Sequence, residues 1–509
     1  MFSGNPRGKR LLVGALGVAA GLALPTSASA GITNVTVNDD DTGTGPEGAN
    51  CATAQFQSIQ AAVTVAAPGD TILVCSGTYN ETVTINKDEL TLRGAQAGND
   101  ARSRSGEEST ITGGGVSINA MDVEFDGFTV EDANDPSVGS GINTNGASGV
   151  RILNNIIRSN TFGLSLSNPG GDQAIVRKNL FADNNDPGSA SGNGIYSDTG
   201  ASNVLIEENR FTGHDNGSIL FVGGDQSTQR GIDILDNRIV NDSAILLFAV
   251  SGATVNGNRI SGSNLVDDDG DPGTPEQDAA SSVFFASVQG ASVKRNRITG
   301  EPNSAVRIGS FGTGPSEDIS IVGNTLVNNG FGVRATDDGA DGPIRIEFNR
   351  IFRNDTGVAN EDATQDASDP RFDAENNWWG CNEGANEDGC DTTTGNNIDD
   401  EPHLVLTLRV GETTLRSGET TKVRADLRRN SEGENFGKRS LFPDGTKIRF
   451  GAEFPDGDRQ STVTPRSDRT FQALASTTFR ARGKDNGGVF ARLDAETVKQ
   501  NIRIKRKRR

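Results

Sequence analysis

Five arginines each follow an asparagine at a recurring place in this chain, and guanidinium groups in such a series can hold carboxylates or sulfates through paired hydrogen bonds. They are Arg210, Arg238, Arg259, Arg297 and Arg350, with Thr325 standing where a sixth would fall. In the alternative reading each arginine lies along the surface and pairs with acids such as Glu207, Glu208, Asp233 and Asp236. A second candidate is acidic. Asp267, Asp269 and Asp271 have the alternate spacing of a Ca2+ loop, with Asp278 in the closing position, but Pro272 stands where such loops carry Gly. Ca2+ is therefore the candidate ion, no cofactor is required, and a solvated acidic loop is the other reading; Asp337, Asp338 and Asp341 form a weaker cluster. Histidine chemistry has little material. With His214 and His403 alone, a His-based copper or zinc cage is excluded, and a Ser-His-Asp triad would have to use one of the two.

The elements that must position these residues announce themselves by repetition. Aligning on the asparagine gives apolar-x-apolar-x-x-Asn-x-apolar, as in Val150, Ile152, Asn155, Ile157 and in Ile232, Ile234, Asn237, Ile239. The series runs through Asn155, Asn179, Asn209, Asn237, Asn258, Asn296, Asn324, Asn349 and a degenerate Asn377, spaced 24, 30, 28, 21, 38, 28, 25 and 28 residues apart. Near-constant spacing of this length marks a solenoid. Alternation before each asparagine predicts a strand, and a turn residue tolerant of the left-handed region ends it. A second short strand follows, as in Gly163-Leu164-Ser165-Leu166, so each period holds two or three strands and no helix. Stacked coils of this kind form a parallel β-helix with rungs about 4.8 Å apart. The asparagines are expected to form a structural hydrogen-bonded ladder inside one turn, and the Ile, Val and Phe positions to form interior stacks.

The ends need covering, because terminal rungs expose strand edges and core. Phe56, Ile59, Val63 and Ala66 lie at helical spacing before Pro68-Gly69-Asp70, which predicts an amphipathic N-terminal cap helix. Asn376-Asn377-Trp378-Trp379-Gly380 reads as the opposite cap, with sugar stacking on the tryptophans as the alternative. Four cysteines in an exported chain favour disulfides, and local pairing of Cys51 with Cys75 and Cys381 with Cys390 places one staple at each end. Export is expected because Arg7, Lys9 and Arg10 precede an apolar run from Leu11 to Leu24 and then Ala28-Ser29-Ala30, the layout of a signal peptide over residues 1–30. No later run approaches the length of a membrane span.

Charge divides the remainder. Residues 403–509 contain 24 Lys/Arg and 13 Asp/Glu, whereas residues 31–402 contain 21 and 55. An acidic body of this kind repels nucleic acid, and the basic part suits anionic envelope polymers. After Pro402 the pattern changes to spaced short strands, from Leu404 to Val410, Thr421 to Leu427, Thr446 to Glu453, Ala475 to Ala481, Val489 to Leu493 and Asn501 to Ile504, which predicts a β-sandwich over 403–504. A basic tail, 505–509, is expected to be solvated.

The stretch Phe56 to Gly94, FQSIQAAVTVAAPGDTILVCSGTYNETVTINKDELTLRG, resembles the cap and first coils of the pectin-lyase-like right-handed parallel β-helix superfamily. The Asn-centred repeats are similar to its parallel β-helix repeats. Asn430-Ser431-Glu432-Gly433 and Phe442-Pro443-Asp444-Gly445-Thr446 resemble bacterial Ig-like domains of the invasin and intimin kind. The resemblance implies an all-β chain, a solenoid over 31–402 followed by an Ig-like sandwich. The superfamily holds lyases, hydrolases, epimerases, tailspikes and adhesins, so it implies a fold and leaves activity open. Its pectate lyases carry Arg-x-x-Pro-x-x-Arg, which is missing here. Its polygalacturonases carry an acid where Asn143-Thr144-Asn145-Gly146 has Asn145, and Arg503-Ile504-Lys505 copies their basic string in the wrong domain. The expectation is a secreted, noncatalytic surface protein that binds carbohydrate or another macromolecule, with a polysaccharide lyase or glycoside hydrolase acting on an acidic glycan as the alternative. Oligomeric state is left open.

Overall fold

In the computed structural model the described residues are 34–40, 50–133, 139–242, 244–263, 281–312, 314–336, 339–361, 372–454 and 461–506. Residues 1–30, expected from sequence to be a signal peptide, residues 267–278, and Asp337 and Asp338 lie outside them.

Alternating sequence produces strands too short to bury a face alone, and stacking solves this. One 15-stranded parallel sheet runs from Asn34–Val37 to Ile398–Asp399. A 21-stranded sheet forms two further stripes, one through Ile156–Arg158, Leu180–Ala182 and Arg210–Thr212, the other through Phe162–Ser165, Asn193–Ser197 and Gly217–Val222. Each coil thus contributes to three faces. Register is exact enough to stack like on like: Ile152, Val176, Ile206, Ile234, Val255, Val293, Ile321 and Ile346 lie one above another, all fully buried. Phe181 and Phe211 stack with ring centroids 5.0 Å apart.

The asparagine ladder is continuous. The Oδ1 of each asparagine accepts the backbone N–H of the one before it at 2.8–2.9 Å, from Asn155 through Asn377. Each Nδ2 also donates to the next Oδ1 at 2.9–3.3 Å. Every turn therefore satisfies backbone groups that would otherwise be buried without partners. The left-handed residue is the one preceding the asparagine, and its type varies: φ is 52° at Asp236, 54° at Arg295 and 55° at Phe348. Bulky residues tolerate this conformation because the ladder fixes the turn around them.

Both ends are closed as expected. The helix Ile59–Val65 is capped by Ser58, and Glu81 accepts from Ser58 Oγ (2.7 Å), Ile59 N (2.8 Å) and Gln60 N (2.9 Å). A carboxylate at a helix N-terminus satisfies donors that the helix cannot. Cys51 pairs with Cys75 and Cys381 with Cys390, at Cα separations of 5.8 and 5.3 Å. Both tryptophans are fully buried: Trp379 joins the solenoid core and Trp378 turns outward into a second core. Neither offers a face to a sugar.

That second core belongs to the C-terminal module, whose strands form a four-stranded and a five-stranded sheet. The structure adds Thr414–Arg416, Thr462–Thr464 and Ser467–Arg469 to the strands expected from sequence. The last strand, Glu496–Lys505, takes in Lys505, paired with Arg416, so the strand runs one residue past the boundary expected from sequence while the Lys505 side chain stays exposed. Val322 and Phe348 of the solenoid pack into this core beside Trp378, so the module is seated on the final coils.

Candidate functional site

The strand after each ladder asparagine opens with an outward residue and follows with a core residue. That pattern puts Arg210, Arg238, Arg259 and Arg297 in consecutive register, with Phe211, Ile239, Ile260 and Ile298 beneath the surface. Thr325 and then Arg350 continue the column. At about 4.8 Å per rung the four consecutive arginines span roughly 14 Å.

The row is not neutralised in the way local sequence allows. Among the described residues no salt bridge reaches Arg210, Arg238, Arg259 or Arg297. Glu207 and Glu208 pair instead with Arg177, at 3.5 and 3.2 Å, and Glu208 also with Lys178 at 3.8 Å. The cause is topological: Glu207 ends a strand of the first sheet and so faces a different flank from Arg210. Asp233 is on that first sheet too. Arg210 Nε is out of solvent with no hydrogen-bond partner. Burial, and then the charges of Arg350, Arg259 and Arg469, hold the Arg297 guanidinium below its ordinary pKa. Neighbouring like charges about 5 Å apart repel by about 1 kcal/mol even in a water-like dielectric. An unpaired row of this kind is relieved by an anion.

Arg350 departs from its fellows. Its Nε donates to Asp494 Oδ2 at 2.9 Å and its Nη2 to Oδ1, while Trp378 Nε1 donates to the same carboxylate at 2.8 Å. Its charge is spent on holding the module, a pairing across 144 residues of chain that local spacing cannot reveal.

The two histidines are structural. A second ladder, unforeseen from sequence, runs five residues after the first through Asn160, Asn184, His214 and Asp242, and again through Asn329 and Asn354, where Asp391, from the longer segment after Asn377, closes it. Asn184 Nδ2 donates to His214 Nε2 (3.0 Å), and His214 Nδ1 lies 2.8 Å from Asp242 Oδ2. All three side chains are fully out of solvent or nearly so, which keeps this His-Asp pair from any substrate. His403 sits at the module junction between Glu401 and the Asn382 carbonyl.

Asp391 ends the second ladder, accepting from Asn354 Nδ2 at 2.7 Å, and burial raises its pKa from 3.8 to about 6. Since the folded value exceeds the unfolded one, the stability tied to this group is complete below pH 3.8 and is lost as pH rises through about 6. Asp391→Asn is expected to extend the amide ladder, flatten that decline, and stabilise the chain at about pH 8 by roughly 1–3 kcal/mol. Urea unfolding of both proteins across this range measures it; identical pH profiles would assign the dependence to other groups.

The tight groups of metal-competent side chains among the described residues reduce to Cys381, Glu383 and Cys390, two of which form a disulfide. The candidate Ca2+ residues Asp267, Asp269, Asp271 and Asp278 lie outside the described residues. A shallow groove of about 510 Å3, lined by Ser202, Asn203, Arg230, Gly231, Asp233, Ser251 and Gly252, joins one arginine to one acid. A larger cavity of about 610 Å3 belongs to the module, between Phe454, Gly487 and Lys499. Neither includes the arginine row, which lies on a sheet face.

The sequence matches the family described as right handed beta helix region over residues 73–239. The solenoid is a right-handed parallel β-helix. No curated protein matches the chain. Among solved structures, domains 4 and 5 of the S-layer protein SbsC align at 14% identity with a TM-score of 0.15, covering 21% of this chain and 56% of that one. An alginate lyase from Paenibacillus sp. str. FPU-7 aligns at 12% identity and TM-score 0.38, covering 67% of this chain and 96% of that one. The surface adhesin PfbA of Streptococcus pneumoniae aligns at 13% and 0.38, covering 63% and 85%. No helix among the described residues is long and apolar enough to cross a membrane.

Proposed function

We propose that this chain is a secreted, noncatalytic surface or matrix protein that binds an acidic polysaccharide along its arginine-bearing flank. The observation that carries this reading is the set of four register-matched arginines, Arg210, Arg238, Arg259 and Arg297, with no acidic partner among the described residues. Planar guanidiniums at a regular spacing suit a polymer that repeats its carboxylates or sulfates. The flat setting supports binding over cleavage, because glycan hydrolysis calls for two carboxyl groups flanking the bond and lyase chemistry for a base at the α-proton. The module is read as an Ig-like domain that contacts the cell envelope, a reading supported by its antiparallel sheets and basic charge. Binding requires no cofactor; Ca2+ at the acidic loop is a separate possibility that the same experiment addresses.

The test exposes the full secreted chain to polygalacturonate, alginate, heparin and a neutral glucan, with and without Ca2+. Binding, unsaturated-product absorbance and new reducing ends are followed together. The expected result is salt-sensitive binding to the acidic polymers with no product. Unsaturated ends would identify a lyase and reducing ends alone a hydrolase, either of which overturns the proposal, as would binding to none of them.

A further inference from the structure

The basic excess of the module, 24 Lys/Arg against 13 Asp/Glu over residues 403–509, gathers on one surface. Along the strand Lys447–Glu453, Ile448 and Phe450 point into the core, and Lys447 and Arg449 point outward. Register places Arg469 opposite Lys447 and Arg492 opposite Arg449, so four exposed cations share the outer face of the five-stranded sheet. Among the described residues none of the four makes a salt bridge; Arg469 Nη1 donates to the Gly445 carbonyl at 2.7 Å. Two residues beyond Arg469, the turn from Phe471 to Leu474 closes with reciprocal backbone hydrogen bonds of 2.8 and 3.1 Å. It buries Ala473 and leaves Phe471 69% exposed. The far end of the solenoid carries the complement. Val65, on the cap helix, is 60% exposed and Met121 53%. Hydrogen bonds tie them into one patch: Lys87 Nζ donates to the Thr64 and Ala66 carbonyls at 3.0 and 2.6 Å, and the next residue, Asp88, accepts from Met121 N at 2.8 Å. Glu89 N donates to the Met121 carbonyl at 2.8 Å. Asp88, Glu89 and Asp122 are exposed and, among the described residues, make no salt bridge, whereas Lys87 turns its charge back on the helix end. Large apolar groups left together on a surface mark a contact. From Thr91–Arg93 to Phe372–Asp373 the first sheet climbs ten rungs, roughly 50 Å, so the two patches of one molecule lie at opposite ends of the solenoid.

We propose that the outer face of the module's five-stranded sheet docks on the acidic cap end of a second copy of this chain, with Phe471 against Val65 and Met121, and the four cations against Asp88, Glu89 and Asp122. A second copy is favoured over a polyanionic polymer because the chain itself displays the matching surface, acids set around apolar side chains. Opposite charges steer such an encounter and fix its register. The two surfaces differ, so the contact is heterologous, and its repetition arranges copies head to tail. It is independent of the arginine row, since neither patch includes a member of that row.

The test is sedimentation velocity of the full chain over a range of concentrations at low and high salt. Wild type is expected to associate reversibly at low salt and to dissociate as salt screens the contact. Arg449→Glu with Arg492→Glu, and separately Glu89→Lys with Asp122→Lys, are each expected to raise the concentration needed for association about tenfold or more. An equal mixture of these two variants is expected to associate again, because acid then faces base at every junction. Arg424→Glu with Arg480→Glu, exposed on the four-stranded sheet, changes the net charge equally and is expected to leave association near wild type. Wild type that stays monomeric at low salt overturns the proposal; loss of heparin binding by such a monomer on Arg449→Glu with Arg492→Glu would assign the face to a polyanion instead. Equal losses in the two module variants reduce the contact to net charge and overturn it as well. A mixture that fails to associate, with each variant shown to be folded by circular dichroism, means that the two surfaces are not partners.

Discussion

Replacing Arg238, Arg259 and Arg297 together with Gln abolishes most of the affinity for polygalacturonate, by about a hundredfold or more, and leaves the melting temperature unchanged or slightly raised. Charge-assisted hydrogen bonds contribute about 1.5–3 kcal/mol each when protected and less when exposed to salt, so three contacts at about 1 kcal/mol account for this factor. Stability does not fall because these arginines make no salt bridge among the described residues, and their removal relieves repulsion along the column. The matching control is Arg151, Arg158 and Arg177, which already pair with Glu124, Glu131 and Glu207 at 3.1, 2.7 and 3.5 Å. Their replacement with Gln removes the same formal charge and is expected to alter affinity only a fewfold. Isothermal titration of both triple variants separates a located site from net charge; equal losses would deny the row any special part.

Asn237→Ala has the largest expected effect on stability, about 3–5 kcal/mol, because the side chain sits in mid-ladder with four hydrogen bonds and no access to water. Its Oδ1 accepts from Asn209 N (2.8 Å) and Asn209 Nδ2 (3.1 Å), and its Nδ2 donates to the Ile206 carbonyl (2.9 Å) and Asn258 Oδ1 (3.1 Å). Truncation leaves buried donors and acceptors on both adjacent rungs without partners, and a small void cannot replace them. Asp in the same place keeps the acceptor and loses the donor, so Asn237→Asp is also expected to destabilise. Urea unfolding followed by circular dichroism measures both. A loss below about 1 kcal/mol would mean that the ladder follows from coil stacking and does little to hold it. The surviving folded fraction should bind polygalacturonate as wild type does, because Asn237 faces inward.

How much of this was legible in the sequence depended on how narrow each position's chemistry is. The first ladder accepts asparagine alone, since only an amide of that length both donates and accepts inside the turn, and so Asn155 to Asn377 align by eye. The second ladder was missed because His214, Asp242 and Asp391 share its positions with Asn160 and Asn184, and mixed residue types hide a column. The arginine row was visible as a residue type after the asparagine, but its ionic state was not. Glu207 is three residues from Arg210 in sequence and faces another flank, while Asp494 is far away in sequence and binds Arg350. Disulfide pairing followed from proximity in the chain, whereas the seat of the module on Val322, Phe348 and Trp378 depends on surface complementarity that periodicity does not encode.

The most direct measurement is a crystal structure of the protein soaked with a short oligogalacturonate. The arginine row predicts an intact oligosaccharide lying parallel to the solenoid axis, its carboxylates within hydrogen-bond distance of Arg238, Arg259 and Arg297. An oligosaccharide seated in the groove between Arg230 and Asp233, or one recovered cleaved, would contradict both the location and the noncatalytic role.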